Sequence, residues 1–290
     1  MTCNINLRPT KPKRVVVFGR TGFIAASAIK KLKKRNINVV SFSKSEIDLI
    51  KKNSIKKISK ILKNEDSVLF IAAKAPVKNE KMLLENFFML KNFLIGLKNK
   101  KLSHFIYVSS DAVYSDSKIL IDEQSKTIPN SLHGIMHLTR ENIFKVLIKT
   151  PICIVRSTLI YGNKDPHNGY GPNRFARLAV KNDKIYLFGK GEELRDHIHI
   201  DDVTEIILNV ILYKTKGVIN ACTGKVFSFY NIAKIIVRAL KSKSKIISTK
   251  RVKPMPHDGY RAFNNSILKK VFPKIKLKLL NKEKLFNSYK

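Results

Sequence analysis

The stretch Val15-Val16-Val17-Phe18-Gly19-Arg20-Thr21-Gly22-Phe23-Ile24-Ala25 decides how the chain is read. Four apolar residues, three of them β-branched, make a short strand, and a helical pattern follows from Phe23 to Lys34. A tight turn that opens a helix leaves free N–H groups and a positive dipole end above the strand, which suits a pyrophosphate. Gly19 and Gly22 permit the turn and a close approach, while Ala25 stands where a small residue lets helix and strand pack. Arg20, Thr21, Phe23 and Ile24 complete the expected dinucleotide contact. A glycine pair is weak alone; its position in the order of elements strengthens it.

Strands are expected over Val39–Ser43, Val68–Ala72, Phe105–Ser109 and Ile152–Ile160, and helices over Ile55–Leu62, Leu83–Leu97 and Leu132–Ile148. Nearly uncharged strands alternating with helices predict an α/β protein, a doubly wound parallel sheet that takes its ligand at the carboxyl ends of the strands. Gly and Pro accumulate between Gly162 and Pro172, where a boundary is expected.

The second strand ends at Ser41-Phe42-Ser43-Lys44 without the acid that would hold ribose hydroxyls. With Lys44 and Arg20 near, a 2′-phosphate fits, so the expected cofactor is NAD(P), leaning to NADP. The alternative is that both are ordinary surface bases. Asp48 is placed to reach the adenine amino group, and Ser43 closes the same pocket.

The 290 residues carry 57 Lys+Arg against 21 Asp+Glu, a formal charge of +36, with 44% apolar residues. That composition supports a packed core and excludes a disordered or collagen-like chain. Lys outnumbers Arg 45 to 12 and is spread along the chain, so a solvated basic face is favoured over a nucleic-acid surface. No apolar run reaches the ~18 residues of a membrane span, and the start lacks the apolar core of a secretory signal; a cytoplasmic protein is expected. Cys3, Cys153 and Cys222 lack metal or redox spacing and are expected to be reduced, the last two buried.

Together with the glycine turn, Val108-Ser109-Ser110-Asp111-Ala112-Val113-Tyr114 and Arg195-Asp196-His197-Ile198-His199-Ile200-Asp201-Asp202-Val203 make the chain resemble the extended short-chain dehydrogenase/reductase family, above all its nucleotide-sugar epimerases, dehydratases and reductases. The likeness runs from about Val15 to Asn265 and includes Ala72-Ala73, Asn86, Arg156 and Asn220-Ala221-Cys222-Thr223-Gly224. It implies that Ala72 and Ala73 line the cofactor, that Ser110 bonds the reacting sugar oxygen, and that Arg195 contacts a substrate diphosphate, with Arg174 and Arg261 as weaker candidates. It further implies a Rossmann domain over 13–162, rejoined by 201–223, and a substrate domain from 163–200 and 224–290. A homodimer through the helices near 83–97 and 132–148 is also implied.

The chain departs from the family where a Tyr acts as acid/base and a Lys four residues later holds the nicotinamide ribose. His133 and His137 stand there. Three accounts are open. The pair serves the active site, a neutral imidazole moving the proton and its neighbour bonding the ribose; it binds metal, for which no third ligand is evident; or the dyad is lost and the fold only binds. Leu159 replaces an Asn common in sugar-nucleotide enzymes. Tyr114 and Lys118 fit Tyr-x-x-x-Lys by letter but lie directly after the serine strand, and are discounted. His197 and His199 share a strand face, yet the resemblance makes them structural. No metal is expected. The expected activity is reversible hydride transfer on a nucleotide-activated sugar; the alternatives are a catalytically silent dinucleotide-binding protein and an RNA-binding relative of the fold.

Overall fold

The computed structural model describes residues 1–281 and 283–289. Lys282 and Lys290, within the expected 224–290 span, lie outside the described residues. The strands are β1 (Cys3–Asn4), β2 (Val15–Phe18), β3 (Val39–Phe42), β4 (Ser67–Phe70), β5 (His104–Ser110), β6 (Ile152–Ser157), β7 (Leu159–Tyr161), β8 (Ile185–Phe188), β9 (Leu194–His199), β10 (Thr215–Ala221), β11 (Val226–Ser228), β12 (Ile246–Thr249) and β13 (Tyr260–Arg261). The helices are α1 (Phe23–Lys34), α2 (Asn53–Ile61), α3 (Glu80–Leu97), α4 (Leu132–Leu147), α5 (Pro172–Val180), α6 (Ile200–Leu212), α7 (Phe229–Leu240) and α8 (Ser266–Val271).

The main sheet has the order β1-β10-β6-β5-β4-β2-β3, parallel throughout except for β1. Alternation along each strand builds two cores. Val15, Val17, Leu69, Ile106 and Val155 pack with α1 and α6, whereas Val16, Phe18, Phe70, Phe105 and Ile154 pack with α2, α3 and α4. Burial on both faces accounts for strands that are apolar without interruption. The strand order reverses between β2 and β4, so the turn after β2 opens at the switch point where such sheets take ligands.

Two expectations change. The strand over Ile152–Ile160 is two, because Thr158 turns aside to bond the Ala221 carbonyl (3.1 Å) and β7 leaves to pair with β9. The main sheet also begins earlier than residue 13: Cys3 and Asn4 cover the edge of β10, where Thr215 Oγ1 donates to Asn4 Oδ1 (2.6 Å). Two residues are too short a strand to leave a periodic signal. β8 and β12 form a small parallel pair, and β9 joins β7, β11 and β13. With α5 and α7 these enclose a separate apolar cluster around Phe175, Leu187, Phe229 and Ile236. Among the described residues no helix is long and apolar enough to cross a membrane.

The start of α4 is set by contact with the end of β5. Ser131 caps it by accepting the Gly134 N–H (3.2 Å). A Cβ on Gly134 would lie 2.1 Å from the Ala112 carbonyl oxygen and 2.6 Å from Pro129 Cβ. Gly134→Ala is therefore expected to lower stability by about 1–3 kcal/mol or more, read as a lower denaturant midpoint at unchanged slope.

Candidate functional site

Gly19 ends β2 with φ +102°, and a Cβ there would sit 3.0 Å from the Cα and N of Ala72. Glycine is demanded twice, by conformation and by contact. Gly22 caps α1, whose first turn carries no acid, so its amides and dipole face the mouth of the turn undiminished. Phe23, Ile24 and Ala73 line the adjoining cleft, and the exposed Arg20 and Thr21 form the outer lip. This cradle fits the pyrophosphate of a dinucleotide: a groove that side chains would fill is left to backbone.

At the end of β3 the chain curls so that Glu46 caps it. The carboxylate accepts from Ser43 N–H (2.9 Å) and Oγ (2.7 Å) and pairs with Arg20 at 2.7 Å. The hydrogen bonds from Ser43, chiefly, hold its pKa below the usual carboxylate range. An acid thus stands beside the strand end where the local sequence offers none. Lys44 is exposed, and Asp48 instead bonds the Ile50 N–H (3.1 Å).

A cleft of about 730 Å³ runs from the glycine turn to the smaller sheets, lined in part by Ser110, Asp111, His133, His137 and Arg195. Ser110 Oγ accepts the Ala112 N–H (3.2 Å) and donates to Asp111 (3.3 Å). His133 and His137 meet edge to face, ring centroids 4.7 Å apart. His137 is buried and its Nδ1 is 2.7 Å from the Tyr107 hydroxyl. Burial lowers both imidazoles below their ordinary pKa, opposed at His133 by the Asp111 carboxylate. Both are neutral at pH 7. Tyr107 left no signal, being one apolar-strand residue among several.

The arginines divide. Arg195 is buried in the cleft wall; Nη2 donates to Glu193 (3.2 Å) and the Pro256 carbonyl, and Nη1 has no hydrogen-bond partner among the described residues. Arg261 also borders the cleft, but Asp111 (3.1 Å), Asp116 (3.2 Å) and two carbonyls occupy its guanidinium. Arg174 is exposed on α5, away from the cleft lining. His257, bonded to Asp116, is a cleft residue with no sequence signal. Tyr114 is buried and donates to Asn220 (2.7 Å), away from Lys118. Among the described residues, no three His, Cys, Asp or Glu gather as metal ligands.

A glycine turn at the switch point of a parallel sheet, opening into a cleft walled by a second set of elements, defines a dinucleotide-binding α/β enzyme with an added substrate-binding part. The family model of NAD dependent epimerases and dehydratases matches residues 15–222, and the chain belongs to that family of enzymes. The fold is similar to that of UDP-glucose 4-epimerase from Thermotoga maritima, solved with UDP-glucose, at 19% identity and TM-score 0.82 over 95% of this chain and 98% of that one. UDP-glucuronic acid 4-epimerase from Bacillus cereus, solved with UDP-glucuronic acid and NAD, matches at 20% identity and TM-score 0.78, again over 95% and 98%. UDP-N-acetylglucosamine 4-epimerase from Methanobrevibacter ruminantium M1 matches at 22% identity and TM-score 0.79 over 97% of each chain. At these identities the likeness is one of fold.

Behind the cleft, His197 packs edge to face on Phe229 (5.7 Å), and burial holds it down to about 3. A histidine neutral in the fold but free to charge when unfolded lends stability above pH 6.5 that is lost as pH falls toward its folded value. His104 and His199, both lowered to about 4 by burial, act in the same sense. Asp196 and Asp202, raised to about 6 by burial, act oppositely but are outnumbered. Stability should therefore drop from pH 7 to pH 5. In His197→Phe that drop should be smaller by about 2 kcal/mol, the effect of one proton, measured by urea denaturation at both pH values.

Proposed function

We propose that this enzyme binds NAD and acts on a nucleotide-activated sugar, epimerising, dehydrating or reducing it. The observation that carries the reading is the cleft joining the glycine cradle to Ser110, His133 and Arg195. When bound, the dinucleotide supplies reversible hydride transfer at its nicotinamide ring. Gly19, Gly22 and the α1 amides hold the pyrophosphate; Phe23, Ile24, Ala72 and Ala73 form the floor. Ser110 bonds the reacting sugar hydroxyl, and His133, neutral at working pH, takes its proton and later returns it. The Arg195 guanidinium, which borders the cleft, bonds the substrate diphosphate. Residues through Tyr161, with β10, serve the dinucleotide, and the smaller sheets serve the substrate.

Glu46 supports NAD over NADP. Its carboxylate offsets Arg20 and would repel a 2′-phosphate while offering an acceptor to ribose hydroxyls, which removes the ground for the NADP preference drawn from the sequence. The test is a fluorescence titration with NADH and NADPH at physiological salt, followed by a product assay on UDP-glucose, UDP-glucuronic acid and UDP-N-acetylglucosamine. NADH should bind more tightly, and one UDP-sugar should be converted. His133→Ala should lower turnover by about 10²–10⁴ while NADH still binds. Conversion of none of the three, with NADH bound, would refute the UDP-sugar reading.

We further propose a homodimer. Leu84, Phe88 and Ile95 lie along one exposed face of α3, and Ile135 and Val146 along one exposed face of α4. Neighbouring helices rarely leave such surface to water in a monomer. Light scattering should give twice the chain mass, and Phe88→Glu should halve it.

A further inference from the structure

Arg140 carries a full charge at 0% exposure, and among the described residues no carboxylate forms an ion pair with it. Nη1 donates to the Ala72 carbonyl (2.9 Å), and Nη2 to the Asn86 carbonyl (2.7 Å) and Oδ1 (3.0 Å). The guanidinium also lies 5.6 Å from the Phe70 ring centroid, while Nε has no hydrogen-bond partner. Neutral dipoles alone face a buried cation, an arrangement far less favourable than an ion pair or an apolar side chain of that size. Packing does not account for it, since Leu or Met would fill the volume.

Position accounts for it. Arg140 stands one turn along α4 from His137 and ties that stretch of the helix to the Ala72 and Asn86 carbonyls, while His137 itself meets the Tyr107 phenol. That phenol is itself 2.7 Å from His137 Nδ1 and 1% exposed. The buried phenol has Nδ1 as its hydrogen-bond partner among the described residues, so its O–H donates there, since accepting from Nδ1 would leave that O–H unsatisfied away from water. With Nδ1 accepting, the single proton of a neutral imidazole sits on Nε2. Burial above all, with the charge of Arg140, keeps the ring neutral.

We propose that Tyr107 is a positioning residue that fixes His137 as the Nε2–H tautomer, so that it meets a bound ribose hydroxyl as a donor where the family's lysine would present an ammonium. The ribose partner rests on the NAD reading above; the tautomer does not. The buried cation keeps a positive field in the place a lysine would have filled, withdrawn one helical turn into the core. Its bond to the Ala72 carbonyl ties α4, the helix that carries the histidine pair, to the segment pressed against Gly19.

Two-bond ¹H–¹⁵N spectra of histidine-labelled protein read the tautomer directly, with His137→Ala assigning the ring. The wild type should show Nδ1 bare and Nε2 protonated. Tyr107→Phe, which removes only the hydroxyl, should release the tautomer to a mixture and weaken NADH binding by about three- to tenfold, at unchanged far-ultraviolet circular dichroism. A wild-type ring protonated on Nδ1 would overturn the proposal, as would a folded Tyr107→Phe with an unaltered His137 spectrum. If Tyr107→Phe does not fold, the wild-type spectrum decides. Failure of wild-type protein to bind NADH would sink the cofactor reading and with it the ribose partner, while the spectrum still judges Tyr107.

Discussion

The Glu141 carboxylate, sealed from water and shared between Ser109 and Arg156, holds together the three elements on which the cleft is built. Ser109 Oγ donates at 2.6 Å, and Arg156 grips both oxygens at 3.0 and 2.6 Å. Glu141 is on α4, Ser109 on β5 and Arg156 on β6, so the fork fixes how α4 lies across the strand ends. Removing one partner of such a buried pair costs about 3–5 kcal/mol, because the other charge is left without compensation. His133 and His137 ride on the same helix, and Ser110 follows Ser109. Arg156 is stacked in turn on the Tyr114 ring at 4.7 Å, which extends the clamp to the loop after β5. The site's geometry follows from this pair more than from any apolar contact.

Around that clamp the titratable groups of the cleft are neutral or paired. The imidazoles are kept uncharged by burial, Asp111 is engaged by Arg261, and Glu46 is engaged by Arg20. The formal charge of +36 is carried mostly by lysines elsewhere. A strongly basic chain therefore presents a cleft whose local electrostatics are set by a few paired residues. Its surface draws anions in general.

Legibility followed the range of the forces involved. The bounds of α1 and the role of Gly19 were open to reading because periodicity and turn chemistry are local; α1 runs Phe23–Lys34 as its pattern dictates. Ser110 was singled out through the resemblance, and its place in the cleft lining is all the structure adds. Glu46 was not, since it acts at the end of β3 only after the loop has curled back. Arg140 and Tyr107 are 33 positions apart in the numbering and adjacent only across the sheet and helix, with nothing in either segment to mark them. Arg261 was read as a weaker diphosphate candidate without its partners, because its carboxylates, Asp111 and Asp116, lie at separations of 150 and 145 residues. Thr158 broke a strand for a partner on another strand, which no alternation within Ile152–Ile160 reveals.

The pairing of Cys3 and Asn4 with β10 has a consequence in time. Asn4 is made 211 residues before Thr215, its hydrogen-bonding partner, so this border of the sheet is sealed only once most of the chain has left the ribosome. Until β10 arrives, β6 presents a bare row of amides and carbonyls, the kind of edge on which nascent chains stick to one another. Non-local parallel pairing is slow, which prolongs that interval. Chains bearing so large an excess of like charge repel one another throughout it, and the lysines scattered along the sequence thereby act as a chaperone written into composition.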